Sequence, residues 1–232
     1  FSEESISISG SDSIFIFSSF NKEGGRGKNK GRENEMSITK VEIEAKIANI
    51  EKEIYKKSLI QYIEFDAEII IPDYFDFKYV EYLYNVGNEL GLSTRSVFRL
   101  VYRESTFRDT VVSPVGAKGL MQLMPETRNL YYGILRLDTL NLDKNQEDIL
   151  IGLNLLKDLN DFWIERGNSK KYSWKLALAS YNAGKGNVIK YKGIPPFKET
   201  VDFVDFINRT HSNPAFLANY SKKYGDEIKP RT

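Results

Sequence analysis

The sequence feature that most constrains the fold is an apolar stripe that ends in a carboxylate. Apolar residues recur at helical spacing after a capping position at Ser93 or Thr94: Val97, Leu100 and Val101. Glu104 is the next position on that face. A carboxyl group removed from water tends to keep its proton, so the pattern is suited to a general acid. From periodicity alone, an exposed Glu104 or an ion pair with Arg103 or Arg108 is the more common arrangement.

Composition limits the chemistry that the chain can carry. The 232 residues can bury one sizeable core with a smaller appendage, and 33 basic residues nearly balance 32 acidic ones. This balance gives no indication of nucleic acid or of an anionic membrane as a partner. Cysteine is absent and His211 is the single histidine, in a segment typical of a solvated turn. Thiol nucleophiles are therefore excluded, and a Ser-His-Asp triad or a multi-histidine metal site has almost no material to work with.

No stretch of the sequence predicts a transmembrane segment. The longest clear apolar run, Ile69 to Ile71, is far shorter than the roughly 18 residues of a membrane span. The first residue is Phe1 rather than methionine, so the sequence indicates a processed or excised piece whose export signal is not visible.

The chain divides into four predicted segments. Residues 1–35 are rich in serine, glycine and charge, with a weak edge strand or unstructured chain over 1–20 and a flexible linker over 21–35. Residues 36–72 are an accessory segment, packed on the main domain or on another protein. Residues 73–222 form the main domain, and residues 223–232 form a tail.

Within the accessory segment we predict an amphipathic helix from Ser37, followed by a short extended connector. The helix is indicated by an isoleucine stripe that requires a partner surface: Ile43, Ile47, Ile50 and Ile54. The connector runs from Ile60 to Ile71 and is followed by Pro72.

The main domain is predicted to be mainly helical. A helix containing Phe77, Val80 and Tyr84 should close at Gly91, and the Glu104 helix follows it. Thr110 to Lys118 is predicted as a loop, and Pro125 as the first turn of a new helix. Asn145 with Asp148 is the expected cap of the next helix, whose inward face is Ile149, Leu153, Leu156 and Trp163. The segment from Trp174 to Ala183 is predicted as a buried helix that Gly184 ends, with Tyr181 pointing inward.

Four ordered motifs resemble those of the soluble lytic transglycosylase family, whose catalytic domain is similar to goose-type lysozyme. They are Glu104-Ser105, Gly119-Leu120-Met121-Gln122-Leu123-Met124-Pro125, Ala179-Ser180-Tyr181-Asn182-Ala183-Gly184 and Pro196-Phe197-Lys198-Glu199-Thr200. The resemblance runs from about Tyr79 to about Tyr220. The second and third motifs, in this order, are the specific ones. The resemblance implies a lysozyme-like helical catalytic domain with an N-terminal accessory helix.

The resemblance also implies a role for each matched residue. Glu104, with Ser105 in its motif, matches the sole catalytic acid, which later acts as a base. Met121 and Gln122 match positions that line a sugar-binding cleft, and Tyr181 with Asn182 match residues that orient the acid and contact substrate. Glu199 matches a supporting carboxylate. The ordinary alternatives are a core methionine for Met121, a loop amide for Gln122, a locally satisfied tyrosine for Tyr181 and a surface glutamate for Glu199.

The implied activity is cleavage of peptidoglycan glycan strands between N-acetylmuramic acid and N-acetylglucosamine, with 1,6-anhydromuramic acid ends. The resemblance likewise implies no metal and no other cofactor. A muramidase on the same fold and a non-catalytic glycan-binding or scaffold protein are the alternatives. The implied location is the periplasm or cell envelope, and a cell-envelope protein could dock through residues 36–72.

Overall fold

The computed structural model describes residues 4–8, 13–18, 36–209 and 214–224, and from residue 40 onwards it also describes the side chains. The chain divides into two compact units, Phe1–Ser58 and Leu59–Thr232. The predicted linker at 21–35, His211 and most of the predicted tail at 223–232 lie outside the described residues. In the described part no helix is both long enough and apolar enough to cross a bilayer.

The first unit contains three short antiparallel strands. Strands β1 (Glu4–Ile8), β2 (Ser13–Ser18) and β3 (Met36–Thr39) are hydrogen-bonded in the order β1-β2-β3. The alternation of serine with large apolar residues therefore forms two paired strands where the sequence predicted at most a weak one.

Helix α1 (Lys40–Ala67) corrects the predicted connector, because the chain stays helical where an extended segment from Ile60 to Ile71 was expected. Three residues spaced four apart, Leu59, Ile63 and Ala67, are buried in the hydrophobic core of the second unit. Tertiary burial of this face outweighs the weak helix propensity of the β-branched and aromatic residues between them. The helix ends where Glu68 adopts a φ of 52°.

The isoleucine stripe of α1 remains exposed. Ile47, Ile50 and Ile54 expose half or more of their surface, and Ile43 is half-buried. A protein that docks on this segment stays a prediction.

Within residues 77–224, as far as the structure describes them, eight further helices follow, and the predicted mainly helical fold is confirmed. They are α2 (Phe77–Glu89), α3 (Thr94–Ser105), α4 (Pro125–Ile134), α5 (Lys144–Ile164), α6 (Lys170–Ala183), α7 (Lys185–Lys190), α8 (Lys198–Asn208) and α9 (Pro214–Tyr224). A short 3-10 helix, Leu137–Thr139, precedes α5.

Helix α5 begins at a different cap from the predicted one. Asp143 accepts hydrogen bonds from the backbone N–H groups of Asn145 and Gln146, and the Gln146 side chain accepts from the Asp143 backbone, which is a complete capping box. The predicted cap residue Asp148 is instead fully buried. The predicted inward face of α5 is confirmed, since all four of its residues are buried.

Helices α3, α6 and α8 bring together the ends that carry predicted site residues. The last turns of α3 and α6 carry Glu104 and Tyr181, and the first turn of α8 carries Glu199. The opposite ends of the same three helices line a cavity around Ser96 and Lys170. Along α3, Ser96 and Glu104 are eight residues apart, which is about 12 Å.

A buried guanidinium fixes α3 against its neighbours. Arg99 has no exposed surface, and its Nε donates to the carbonyl of Ala67 at 2.6 Å while a terminal nitrogen donates to the carbonyl of Arg209 at 2.5 Å. Its charge is paired with Glu68 at 3.3 Å. Burial lowers the pKa of Arg99 to about 10, which still leaves it charged at neutral pH.

Candidate active site

Glu104 occupies the last turn of α3, which stops directly after it. Thr106 caps the helix in the left-handed conformation (φ 51°), and Phe107 continues there with a φ of 63°. Such values are uncommon for residues with a side chain and need support from their surroundings. Here Tyr74 donates a hydrogen bond to the Thr106 carbonyl at 2.7 Å, and the Phe107 ring is buried. The site acid is thus placed by a strained, well-anchored turn.

The environment of Glu104 favours the protonated form. Burial raises the pKa of Glu104 to about 8; the charge of Arg103 lowers that pKa and the charge of Glu199 raises it. In the described part of the chain, Glu104 forms no salt bridge with Arg103 or Arg108, and the Arg108 guanidinium lies 6.0 Å from the ring centre of Tyr74. The ordinary ion-pair interpretation therefore lacks its partner, and a pKa of about 8 favours the protonated form of Glu104 at neutral pH.

The loop that carries Gln122 is tied together by the Gln122 side chain. Gln122 adopts a φ of 46°, and its amide nitrogen donates 3.0 Å hydrogen bonds to the carbonyls of Val111 and Gly119. Because both partners are carbonyl oxygens, both amide hydrogens are used within the loop. The side-chain oxygen of Gln122 is the atom left to accept a hydrogen from a ligand.

Gly119 is required at its position for two reasons. Its φ is +80°, and a β-carbon there would lie 2.0 Å from a carboxylate oxygen of Asp148. Asp148 is fully buried and is paired with Arg128 of α4. Burial raises the pKa of Asp148, while Arg128 opposes that change. The loop therefore lies directly on a buried ion pair.

Tyr181 connects α6 to the same loop. Its hydroxyl donates a 2.8 Å hydrogen bond to the carbonyl of Met121. Burial raises the pKa of Tyr181 well above its ordinary value, and the charges of Glu104 and Asp148 raise it further. The phenol is thus neutral and close enough to Glu104 to respond to its charge.

Asn182 joins α6 to the start of α8. Its amide nitrogen donates to Glu199 at 3.4 Å, and its amide oxygen accepts from the hydroxyl of Thr200 at 2.8 Å. Thr200 is buried and Glu199 is exposed. The hydrogen bond from Asn182 therefore holds Glu199 at a position from which its negative charge raises the pKa of Glu104.

Two predicted site residues lie inside the protein. Ser105 is buried and donates to the carbonyl of Val101 at 3.2 Å. Met121 is fully buried against Gly152, where a β-carbon would lie 2.5 Å from the methionine methyl group. Met121 contributes its backbone carbonyl to the site, whereas its side chain belongs to the core. The methionine of this motif that reaches the surface is Met124, with 38% of its area exposed.

Sequence reasoning missed the Asp148–Arg128 pair and the role of Thr200. Thr200 follows Glu199 directly in the fourth motif, and its place in that motif was the sequence signal for a second polar site residue. Nothing in the spacing of Arg128 and Asp148 indicates that they meet. Within the described ranges, no three histidine, cysteine, aspartate or glutamate side chains gather in a way that could hold a metal ion.

The fold and the candidate site together define a helical domain with a carboxyl group of raised pKa, that of Glu104, within electrostatic reach of Tyr181 and Glu199. Residues 82–204, more than half of the 232-residue chain, match the family model described as the transglycosylase SLT domain. The chain belongs to this family, as its motifs predicted.

Among curated proteins, the chain is similar to the membrane-bound lytic murein transglycosylase F of Marinobacter nauticus. The two are 33% identical over 112 residues, which is 48% of this chain and 21% of the relative. The chain thus spans about a fifth of the length of that relative.

Two solved structures are also similar. An inactive mutant of the lytic transglycosylase Slt of Pseudomonas aeruginosa matches with 25% identity and a TM-score of 0.47, over 64% of this chain and 25% of that one. The 70 kDa soluble lytic transglycosylase of Escherichia coli matches with 24% identity and a TM-score of 0.45, over 66% of this chain and 25% of that one.

Proposed function

We propose that the protein is a peptidoglycan lytic transglycosylase. It cleaves the β-1,4 bond between N-acetylmuramic acid and N-acetylglucosamine and leaves 1,6-anhydromuramic acid ends. Membership of the SLT domain family supports the reaction class, and the printed name of the Marinobacter relative supports murein as the substrate.

The observation that carries the proposal is the burial of the Glu104 carboxyl group, which raises its pKa to about 8. A carboxylic acid with a pKa of about 8 is protonated at neutral pH, which is the state that a general acid needs before it meets its substrate. Its position at the end of α3, next to the neutral phenol of Tyr181, suits a mechanism that uses one acid for both steps.

In the first step, the Glu104 carboxyl group gives its proton to the oxygen between the two sugars. The bond from that oxygen to the anomeric carbon of the muramic acid breaks, and the acetamido oxygen of the same sugar assists at that carbon. Such substrate assistance is a known exception to the two-carboxylate mechanism of glycosidases.

In the second step, the primary hydroxyl of the muramic acid attacks its own anomeric carbon and displaces the acetamido oxygen, which returns to its amide form. The Glu104 carboxylate takes up the hydroxyl proton, so that the acid is restored and no water is consumed. Exclusion of water from this position separates the reaction from hydrolysis.

The remaining site residues hold the substrate and the acid in place. We assign Gln122 to an acetamido N–H or a sugar hydroxyl, because its oxygen is the available acceptor. Tyr181 and Asn182 orient the acid and contact the sugar, and Glu199 keeps the pKa of Glu104 high. Ser105 and Met121 support these residues from inside the protein.

Mass spectrometry of products from purified sacculi tests the proposal. Anhydromuramyl ends are expected from the native chain and should disappear with Glu104→Gln. Reducing ends that carry solvent oxygen would indicate a muramidase instead. A native chain that binds glycan and releases no product would indicate a non-catalytic protein.

The substrate implies the periplasm or cell envelope as the place of action. The relative named membrane-bound supports the same compartment. Fractionation of cells that express the natural protein at its own level would check this location.

A further inference from the structure

A cavity lies at the far end of the helices that carry the candidate active site. It has a volume of about 400 Å³ and is lined by the start of α3, the start of α6 and the end of α8. Glu104 lies eight residues beyond Ser96 of the cavity wall, about 12 Å away along α3. The cavity is therefore separate from the candidate active site.

The wall of this cavity is strongly basic. Its charged side chains are Arg95, Lys157, Lys170 and Arg209, and among the described residues that line it none is acidic. This asymmetry is local, because the whole chain carries a net charge of only +1. Low-dielectric walls that carry one sign of charge concentrate ions of the other sign.

Three of these four basic side chains form salt bridges with acidic residues that do not line the cavity. Arg95 pairs with Asp66 at 3.4 Å, Arg209 approaches Glu68 at 3.8 Å, and Lys157 pairs with Asp161. Glu68 is shared with Arg99, so one carboxylate serves two guanidinium groups there.

Lys170, at the start of α6, has no ion-pair partner among the residues that the structure describes. The cavity therefore retains positive charge after these pairs are formed.

Two polar groups in the wall have hydrogens to donate. The Ser96 hydroxyl is 7% exposed and accepts a 2.9 Å hydrogen bond from Ser93, which leaves its own hydrogen for another acceptor. The Nε of Arg209 is buried and has no acceptor among the described residues. Buried donors without a partner are uncommon in folded proteins and call for an acceptor.

We propose that this cavity binds a ligand through a carboxylate or phosphate group. An oxyanion accepts several hydrogen bonds at once, which matches a wall of ammonium, guanidinium and hydroxyl donors. The volume exceeds what a bare oxyanion occupies and lies in the range of small-molecule sites. Trp174 provides an apolar surface for the organic part of such a ligand.

The test is an NMR titration of the full chain with inorganic phosphate and, separately, with N-acetylalanine. Sodium chloride holds the ionic strength constant, so that general screening does not change. We expect saturable shifts of the Ser96 and Lys170 backbone amides with at least one probe. The probe that binds more tightly shows whether the ligand is held through a phosphate group or through a carboxylate group.

A pair of variants makes the test specific. The double variant Lys157→Gln, Lys170→Gln should weaken binding at least tenfold. The control double variant Lys171→Gln, Lys190→Gln makes the same change in net charge at exposed lysines outside the cavity wall and should bind as the native chain does. Circular dichroism establishes that both variants are folded.

Two results would overturn the proposal. One is the absence of saturable shifts with either probe up to about 50 mM, an affinity too weak for a formed site. The other is equal weakening in both double variants, which would assign the effect to overall charge. Neither result bears on the glycan reaction, because no residue of the candidate active site is changed.

Discussion

The hydroxyl of Tyr181 donates a hydrogen bond of 2.8 Å to the carbonyl oxygen of Met121, across a sequence separation of 60 residues. This bond joins the end of a buried helix to the loop that carries Gln122. Since the Tyr181 pKa also responds to Glu104, one phenol links the loop and the acid. The shape of the site therefore depends on a contact between a side chain and a backbone atom.

Tyr181→Phe should weaken both folding and activity. The change leaves a buried carbonyl without its donor, so we expect a loss of about 1–3 kcal/mol in unfolding free energy. Turnover should fall by about tenfold, equivalent to about 1.4 kcal/mol in the barrier. Tyr172→Phe is the control, because Tyr172 is exposed and should change stability by less than about 0.5 kcal/mol. Equal behaviour of the two variants in urea unfolding would contradict this role.

Glu104→Gln should abolish activity and increase stability. Loss of a general acid lowers turnover by about 100-fold or more. At neutral pH this carboxyl group is ionised in the unfolded chain and mostly protonated in the folded chain, so its ionisation favours unfolding. The amide of glutamine does not ionise, and this destabilising contribution is lost. Because the side chain is only partly shielded, we expect a gain of about 2 kcal/mol, or roughly 4–8 °C in Tm. Glu165→Gln, at an exposed position, is the control.

The pH dependence of stability gives an independent check on Glu104. Between the ordinary pKa of 4.5 and about 8 the folded state binds more protons at this position than the unfolded state does. The free energy of unfolding contributed by Glu104 therefore falls as pH rises through this window. Comparison of Tm against pH for the native chain and Glu104→Gln should show a difference that grows from pH 5 to pH 8. A constant difference would place the pKa outside this window.

Glu199→Gln should move the alkaline limit of activity. The acid works while it is protonated, so activity should decline as pH rises above about 8. Removal of the Glu199 charge lowers the pKa of Glu104, and the decline should begin at lower pH. Profiles of kcat/KM against pH measure this shift, with Asp202→Asn on the same helix as a control of equal charge change. A profile shifted equally by both variants would point to net charge instead.

Comparison of Gly119→Ala with Gly116→Ala distinguishes two causes of lost stability, backbone strain and steric overlap with a neighbouring side chain. Both glycines have a positive φ, so alanine costs about 1–2 kcal/mol at either position. At Gly116 nothing lies within 4 Å of the new methyl group, whereas at Gly119 it would displace the Asp148 carboxylate from its buried pair. We expect Gly119→Ala to cost about 4 kcal/mol or more. Urea unfolding of both variants makes the comparison, and equal losses would show that Asp148 can move away.

Removal of residues 1–35 should leave folding and activity intact. The described contacts of the candidate site all lie within the unit that begins at Leu59. Thermal unfolding and digestion of sacculi by the shortened chain provide the measurement. A shortened chain that fails to fold would contradict the prediction.

Much of the fold could be predicted because local signals and tertiary packing agree. The stripe of α3, the inward face of α5 and the buried α6 all follow from apolar spacing. The end of α1 could not be predicted in this way, because isoleucine, tyrosine and phenylalanine favour extended structure locally. Burial of Ile63 and Ala67 against the core keeps that segment helical. The cap at Asp143 could have been predicted from the sequence, since Gln146 lies three residues later, at the capping-box position.

The members of the candidate site stay a prediction, and their contacts could not be predicted from the sequence. Periodicity predicted Glu104 on the inner face of its helix, and the resemblance assigned Gln122, Tyr181 and Asn182 to the same site. The structure gives Met121 a buried side chain, because a motif does not distinguish an exposed methionine from a core one. The bonds of Tyr181 and Gln122 go to backbone carbonyls, whose positions depend on how distant segments meet.

The side chain of Gln122 has a consequence for selectivity. With both amide hydrogens bound to carbonyls of its own loop, Gln122 can only receive a hydrogen from a guest molecule. A sugar that places a hydroxyl or an N–H group at this point can donate a hydrogen bond to the Gln122 oxygen. A sugar that places an ether oxygen there has no hydrogen to donate, and its lone pairs face those of Gln122. Methylation of a glycan at that one atom would therefore be enough to exclude it, with no change in the size of the opening.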